Sequence, residues 1–222
     1  MHQPHNDAVR LLIVRHGNTF EAGETAYQVG AKTDLALTKK GLEQAESFAI
    51  YLKSRKINPQ LIICGSLKRQ IETAEILQTH FPEAILQKQE MALDEIDYGV
   101  WEGLTADAIE KQWPEEYKSW NERAVWPEGI FVENHAFYLE RLEKWIQKMA
   151  GSEEKVVLAV SSNGLLRMLL EFVPPLWKSI LSESRMKNYK VATGNYCDLS
   201  LHKTLPLLRI RDWNMKPQTE SK

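Results

Sequence analysis

The sequence predicts an α/β fold: a mostly parallel central sheet flanked by helices and carrying a small helical insertion. Three observations predict it. Short apolar runs, LLIV at 11–14, LIIC at 61–64 and VVLAV at 156–160, are partly β-branched and each leads into polar or glycine residues, as strands buried on both faces do. Stretches with helical spacing of apolar residues lie between them. Strand and helix therefore alternate, which places helices on both faces of one sheet.

In chain order, the strand at 11–14 is followed by a helix at 38–53, where Thr38 supplies a cap and Leu42, Ala45, Ala49 and Leu52 form an apolar stripe. The strand at 61–64 opens into a helix at 67–79. Residues 101–126 hold four of the seven tryptophans (Trp101, Trp113, Trp120 and Trp126), with Pro114 and Pro127 near their ends. They read as a helical insertion over one sheet edge, its tryptophans forming a small core or an aromatic lid over a ligand. A helix at 132–149 follows, with His135 expected in solvent, and the strand at 156–160 leads to a helix at 165–172. Segments 196–201 and 207–213 alternate as a terminal hairpin does, and the polar tail at 216–222 is expected to fray. The 222 residues fit one domain, with 101–150 as the insertion and its following helix.

Charge narrows the function classes. With 28 Lys and Arg against 30 Asp and Glu, and a net charge of -2, the chain lacks the basic excess that coats a nucleic acid or an anionic membrane, so any anion it binds should be small. Two cysteines build no disulfide framework and fit a reducing cytoplasm. The six histidines show no metal-ligand spacing. No stretch approaches the ~18 apolar residues of a membrane helix, and MHQPHNDAVR has no signal-peptide core, so a soluble cytoplasmic protein is expected.

Three stretches carry chemistry. The first strand ends in Arg15-His16-Gly17-Asn18-Thr19, placing a guanidinium and an imidazole where ligands of open α/β sheets bind. His16 there suits a base or nucleophile, or a turn histidine bonded to backbone; Arg15 suits phosphate oxygens. The second strand ends in Cys64-Gly65-Ser66-Leu67-Lys68-Arg69, with Arg69 one turn into a helix. Only four residues separate Cys64 from Arg69 where a cysteine-dependent phosphatase loop needs five, so Cys64 reads as a core thiol. In the third, Leu93-Asp94-Glu95-Ile96-Asp97-Tyr98-Gly99-Val100-Trp101-Glu102-Gly103, carboxylates sit among apolar neighbours. Burial would raise the pKa of Glu95 and fit it for general-acid work; Asp97 and Glu102 compete on composition alone.

Together "VRHGNT", "DLALTKKGLEQAE", "SLKRQIETAEIL" and "LDEIDYGVWEGLT" resemble the histidine phosphatase superfamily, whose phosphoglycerate mutase-like fold is shared by cofactor-dependent phosphoglycerate mutases, fructose-2,6-bisphosphatases and many small-molecule phosphatases. The resemblance implies His16 as the nucleophile that forms a phosphohistidine. It further implies Arg15 and Arg69 as the phosphoryl clamp, Asn18 as a further donor and Glu95 as the acid on the leaving oxygen. The implied scheme uses no metal or other cofactor, and its partner is a small phosphorylated substrate. Homo-oligomerisation stays open.

One position departs from the pattern. The family's third core strand usually ends in Ser-His-Gly-Gly, its histidine a further phosphate ligand; Ser161-Ser162-Asn163-Gly164 puts Ser162 at that place. Losing one preorganised donor costs ~10²–10³ in rate. Ser162 and Asn163 are expected either to restore phosphate donors at the start of a helix or to form a structural N-cap. Arg167 is expected as a salt-bridging surface or subdomain residue. The leading reading is a phosphatase. A module that binds a phospho-ligand without turnover competes with it, and a mutase is disfavoured by the compact span 103–156.

Overall fold

A computed structural model describes residues 8–174, 189–204 and 207–218, so the last four residues of the expected tail lie outside it. Six strands form one sheet: β1 (Val9–Arg15), β2 (Leu61–Cys64), β3 (Ile85–Gln87), β4 (Val156–Ser161), β5 (Tyr196–Leu201) and β6 (Leu208–Met215). Their spatial order is β3-β2-β4-β1-β5-β6. The first four run parallel, and β5 and β6 add an antiparallel hairpin at one edge. The expected mostly parallel sheet is thus found. Strand β3 was not foreseen: three residues are too few to alternate, and Ile85 is 61% exposed.

Successive strand residues point to opposite faces. Leu12, Val14, Ile62, Leu158 and Val160 meet one helical layer; Leu11, Ile13, Ile63, Val157 and Ala159 meet the other. Because both faces are covered, the strands read as unbroken apolar runs.

On the first face lie α1 (Lys39–Ser54) and α2 (Lys68–His80). Thr38 caps α1 as expected, its hydroxyl accepting the Gly41 N–H at 3.2 Å. The buried stripe runs through Gly41, Ala45, Phe48, Ala49 and Leu52, whereas Leu42, one step round the helix, is 42% exposed. The second face carries the insertion, α3 (Ala106–Gln112) and α4 (Pro114–Arg123), and then α5 (His135–Ala150). The Asn134 side chain accepts the Ala136 N–H at 2.9 Å, so α5 starts three residues later than the apolar pattern alone predicts. The expected helix at 165–172 is instead α6 (Asn163–Met168), which tightens into a 3₁₀ turn at Leu169–Phe172.

The tryptophans pack as a core. Trp101, Trp120 and Trp126 each meet the Phe131 ring edge to face at 5.0–5.3 Å. His135 is not in solvent: its ring stacks on Trp126 at 5.0 Å, because Trp126 offers an apolar face at the start of α5. Among the described residues no helix is long and apolar enough to cross a membrane.

Candidate active site

The parallel strands deliver their carboxyl ends to one edge of the sheet, and a cavity of about 370 Å³ opens there. Arg15, His16, Asn18, Arg69, Glu95 and Asn163 line it. Six of the seven residues singled out in the sequence therefore converge, from β1, α2, the segment after β3 and α6.

His16 follows β1 directly and is 5% exposed. Its Nδ1 lies 2.8 Å from the Gly17 carbonyl oxygen, which can only accept, so Nδ1 carries the proton. Arg69 Nε–H donates to Nε2 at 3.2 Å, and a guanidinium can only donate. Both contacts require the same tautomer, with Nε2 unprotonated and its lone pair accepting from Arg69. Burial first, and then the Arg15 and Arg69 cations, push the imidazole pKa well below its ordinary value, outweighing the Gly17 bond.

The guanidinium of Arg69 is held by its remaining nitrogens: one donates to Thr33 O at 2.8 Å, the other to Gly30 O at 3.2 Å. Arg15 donates from Nη1 to Val191 O at 2.8 Å, and its buried Nε has no partner. Asn18 is tied down by α1, its N–H donating to Gln44 Oε1 at 2.8 Å, while its side-chain oxygen accepts the Thr193 hydroxyl. Asn163 accepts the Val191 N–H at 2.9 Å through Oδ1, which leaves its amide nitrogen as the donor end.

Glu95 is buried, and its carboxyl is oriented by two backbone donors, Ile96 N–H on Oε1 at 3.0 Å and Gly164 N–H on Oε2 at 3.3 Å. A side chain at Gly164 would collide with the Glu95 carboxyl and the Tyr98 hydroxyl, so glycine there admits the acid. Burial raises the Glu95 pKa above the ordinary carboxylate value, although both N–H bonds and the two arginines pull it down. The competing carboxylates are engaged elsewhere. Asp97 pairs with Lys32 at 2.9 Å, and Glu102 accepts the Thr33 hydroxyl at 2.6 Å. Among the described residues Glu95 is the one carboxylate that lines the cavity. Cys64 lies in the core beneath, where burial pushes its thiol up to about 11, as its reading as a core thiol anticipates.

One position differs from expectation. Ser162 is wholly buried and does not line the cavity; its hydroxyl accepts from Gln70 Nε2 at 3.0 Å and makes no cap bond. The Gly164 N–H of the short α6 is spent on Glu95. Arg167 is 1% exposed, which excludes the surface of the two places expected for it, and its contact with the insertion is found. It stacks over the Trp120 ring at 4.4 Å and donates to the Trp120 and Asn121 carbonyls, joining α6 to α4 while lining the cavity. Lys190, bonded to Asn121, and Thr193 were missed altogether. They precede β5, about as far from His16 in sequence as the chain allows, with no motif of their own.

The arrangement offers an imidazole that burial and cations keep neutral, its Nε2 lone pair accepting from Arg69, with further cationic side chains in the same cavity and a carboxyl whose pKa burial raises. Fold and cavity together describe an α/β protein with a cationic cavity, holding a buried imidazole and a buried carboxyl, at the carboxyl ends of its parallel strands.

Comparison with known proteins agrees. Residues 11–198 match the histidine phosphatase superfamily, branch 1, and the chain belongs to that superfamily. The 6-phosphofructo-2-kinase/fructose-2,6-bisphosphatase 1 of Mus musculus is 30% identical over 165 residues, 73% of this chain and 32% of that protein. The chain spans about a third of the length of the curated relatives it matches. Mycobacterial glucosyl-3-phosphoglycerate phosphatase superposes with TM-score 0.74 at 23% identity, over 94% of this chain and 99% of that one. The alpha-ribazole phosphatase of Shigella flexneri gives TM-score 0.70 at 21% identity, over 96% and 100%. At these identities the structural likeness is one of fold, and the fold is the phosphoglycerate mutase-like one that the motifs imply.

Proposed function

We propose that this chain is a phosphatase that hydrolyses a small phosphomonoester through a phosphohistidine on His16. The observation that carries the reading is the fixed tautomer. With Nδ1–H anchored on Gly17 O, Nε2 is unprotonated, its lone pair accepts from Arg69 Nε–H until the bond yields to the attack on phosphorus, and Arg15 and Glu95 line the same cavity. In the first step Nε2 attacks phosphorus, the ester P–O bond breaks, and the Glu95 proton passes to the departing alkoxide. In the second, the Glu95 carboxylate takes a proton from water as that water's oxygen attacks phosphorus; the P–Nε2 bond breaks and phosphate leaves. Arg15 and Arg69 stabilise the charge on the oxygens in flight, with Asn18 and Asn163 as neutral donors.

Ser162 stands where the family's further phosphate-binding histidine is expected, and its hydroxyl is turned to Gln70. On this reading the phosphoryl group relies on the arginines, and turnover is slower than a full donor set would give by ~10²–10³. The same substitution is what favours the second reading, a module that binds phosphate esters without turning them over. Hydrolysis of a panel of phosphomonoesters by wild type and His16→Ala separates the two. Loss of hydrolysis in the variant supports the phosphatase; equal background rates leave only the binding module.

A further inference from the structure

We propose that Gln70 is the positioning residue for Glu95, its buried amide fixing both backbone N–H groups that aim the carboxyl. The assignment rests on the reading of Glu95 as the acid. Gln70 lies next to Arg69 on the first turn of α2 and is wholly buried. Its Oε1 accepts the Leu67 N–H at 3.4 Å, which orients the amide so that both Nε2 protons face away from α2. One donates to Leu93 O at 2.9 Å, the other to Ser162 Oγ at 3.0 Å. Leu93 is two residues before Glu95, on the segment that supplies the Ile96 N–H. Ser162 is two residues before Gly164, which supplies the other N–H.

The carboxyl of Glu95 thus depends on two separate chain segments, and Gln70 bonds to both. Ser161 adds a second bond to Leu93 O at 2.7 Å, and Asp94 accepts the Ser66 N–H at 2.6 Å on the outer side of the same segment. Ser161 holds that segment from the end of β4, whereas Gln70 bonds to the side chain of Ser162, the residue at the start of α6. Gly65 makes room for it, since a side chain at that position would collide with Gln70 Oε1. Ser162, whose hydroxyl has left the cavity wall, is on this account the anchor through which the amide holds that turn.

A displaced acid matters in proportion to the leaving group's need for a proton. Glycerol 2-phosphate releases an alkoxide that needs one; 4-nitrophenyl phosphate releases a phenolate that does not. The quantity to measure is kcat/KM, which reports transfer to His16 alone, for wild type, Gln70→Leu, Gln70→Glu, Ser162→Ala and Glu95→Gln, with thermal unfolding of each. The expectation is a loss of ~10-fold or more on glycerol 2-phosphate in both Gln70 variants and less than about threefold on 4-nitrophenyl phosphate, with Ser162→Ala showing the same bias more weakly. Gln70→Glu keeps the volume, and Ser162→Ala removes only one arm, so the comparison survives if Gln70→Leu does not fold. Equal loss on both esters in the folded variants overturns the role of Gln70. If Glu95→Gln itself shows no bias between the esters, or wild type cleaves neither, the reading of Glu95 fails and takes the assignment with it.

Discussion

At the scale of single residues, the site works through what burial does to two groups in opposite directions. Burial and two cations lower the His16 pKa, so the imidazole is neutral at pH 7 and its protonation enters only below the ordinary histidine range. Burial raises that of Glu95, so the acid is protonated above the ordinary carboxylate range. The proposed chemistry therefore predicts a kcat/KM on glycerol 2-phosphate that falls as pH rises through the Glu95 pKa, with that limb gone in Glu95→Gln. The same shift has a stability consequence. Between its unfolded and folded pKa the native Glu95 holds a proton that the unfolded chain has released, so this contribution is fully present at lower pH and is lost as pH rises through the folded value. Glu95→Gln should flatten that part of a denaturation-against-pH curve. Arg69 joins α2 to His16, Thr33 and Gly30 through three nitrogens, and lysine matches its charge but not its fork. Arg69→Lys should cut turnover by ~10²–10³ and also lower stability, since the buried Gly30 carbonyl loses its donor at about 1–3 kcal/mol and the part-buried Thr33 carbonyl loses another. Arg15, His16 and Asn18 were legible because they are consecutive or nearly so at a strand end, and Arg69 and Glu95 because their motifs are long. Ser162 was not legible as buried against Gln70, nor Arg167 as lining the cavity, since sequence gives where a residue lies along an element but not what its side chain meets.

At the scale of elements, the difference at α1 shows how packing decides. Leu42 fits an apolar pattern, yet the sheet receives the face one step round, centred on Phe48. Leu42→Glu should therefore change stability by no more than about 0.5 kcal/mol, while Phe48→Ala should cost ~3–5 kcal/mol, both read from chemical denaturation. The α6 turn makes a similar point. A histidine at 162 would have to enter space already held by Gln70, so Ser162→His should lower stability by roughly 1–3 kcal/mol and leave hydrolysis no faster. Faster hydrolysis would mean that the side chain at 162 reaches the phosphate. The insertion was legible as helical from its proline and tryptophan spacing, and its core-packing tryptophans follow from the same composition. That α4 also walls the cavity was legible only as the alternative of an aromatic lid, because the link runs through Arg167 and the Trp120 and Asn121 carbonyls, across more than forty residues of chain.

At the scale of the whole molecule, a net charge of -2 conceals a cavity lined by Arg15, Arg69, Arg167 and Lys190 against the single carboxyl of Glu95. The average argues against a polyanion partner and says nothing of the local cationic field in that cavity. The fold class was readable because four buried strands and their intervening helices each carry a pattern of their own. The cavity's full perimeter was not, because it is assembled from segments as distant as β1 and the approach to β5. Inhibition by inorganic phosphate should weaken with added salt, despite the negative total charge, as that local field is screened. The most direct test is rapid acid-free quenching during hydrolysis, followed by intact mass and peptide mapping. With 4-nitrophenyl phosphate as substrate, the account predicts one phosphoryl group on His16 Nε2, acid-labile and alkali-stable, present in wild type, accumulating in Glu95→Gln and absent from His16→Ala. Continued hydrolysis by His16→Ala at the wild-type rate, with no phosphoprotein in either, would contradict it.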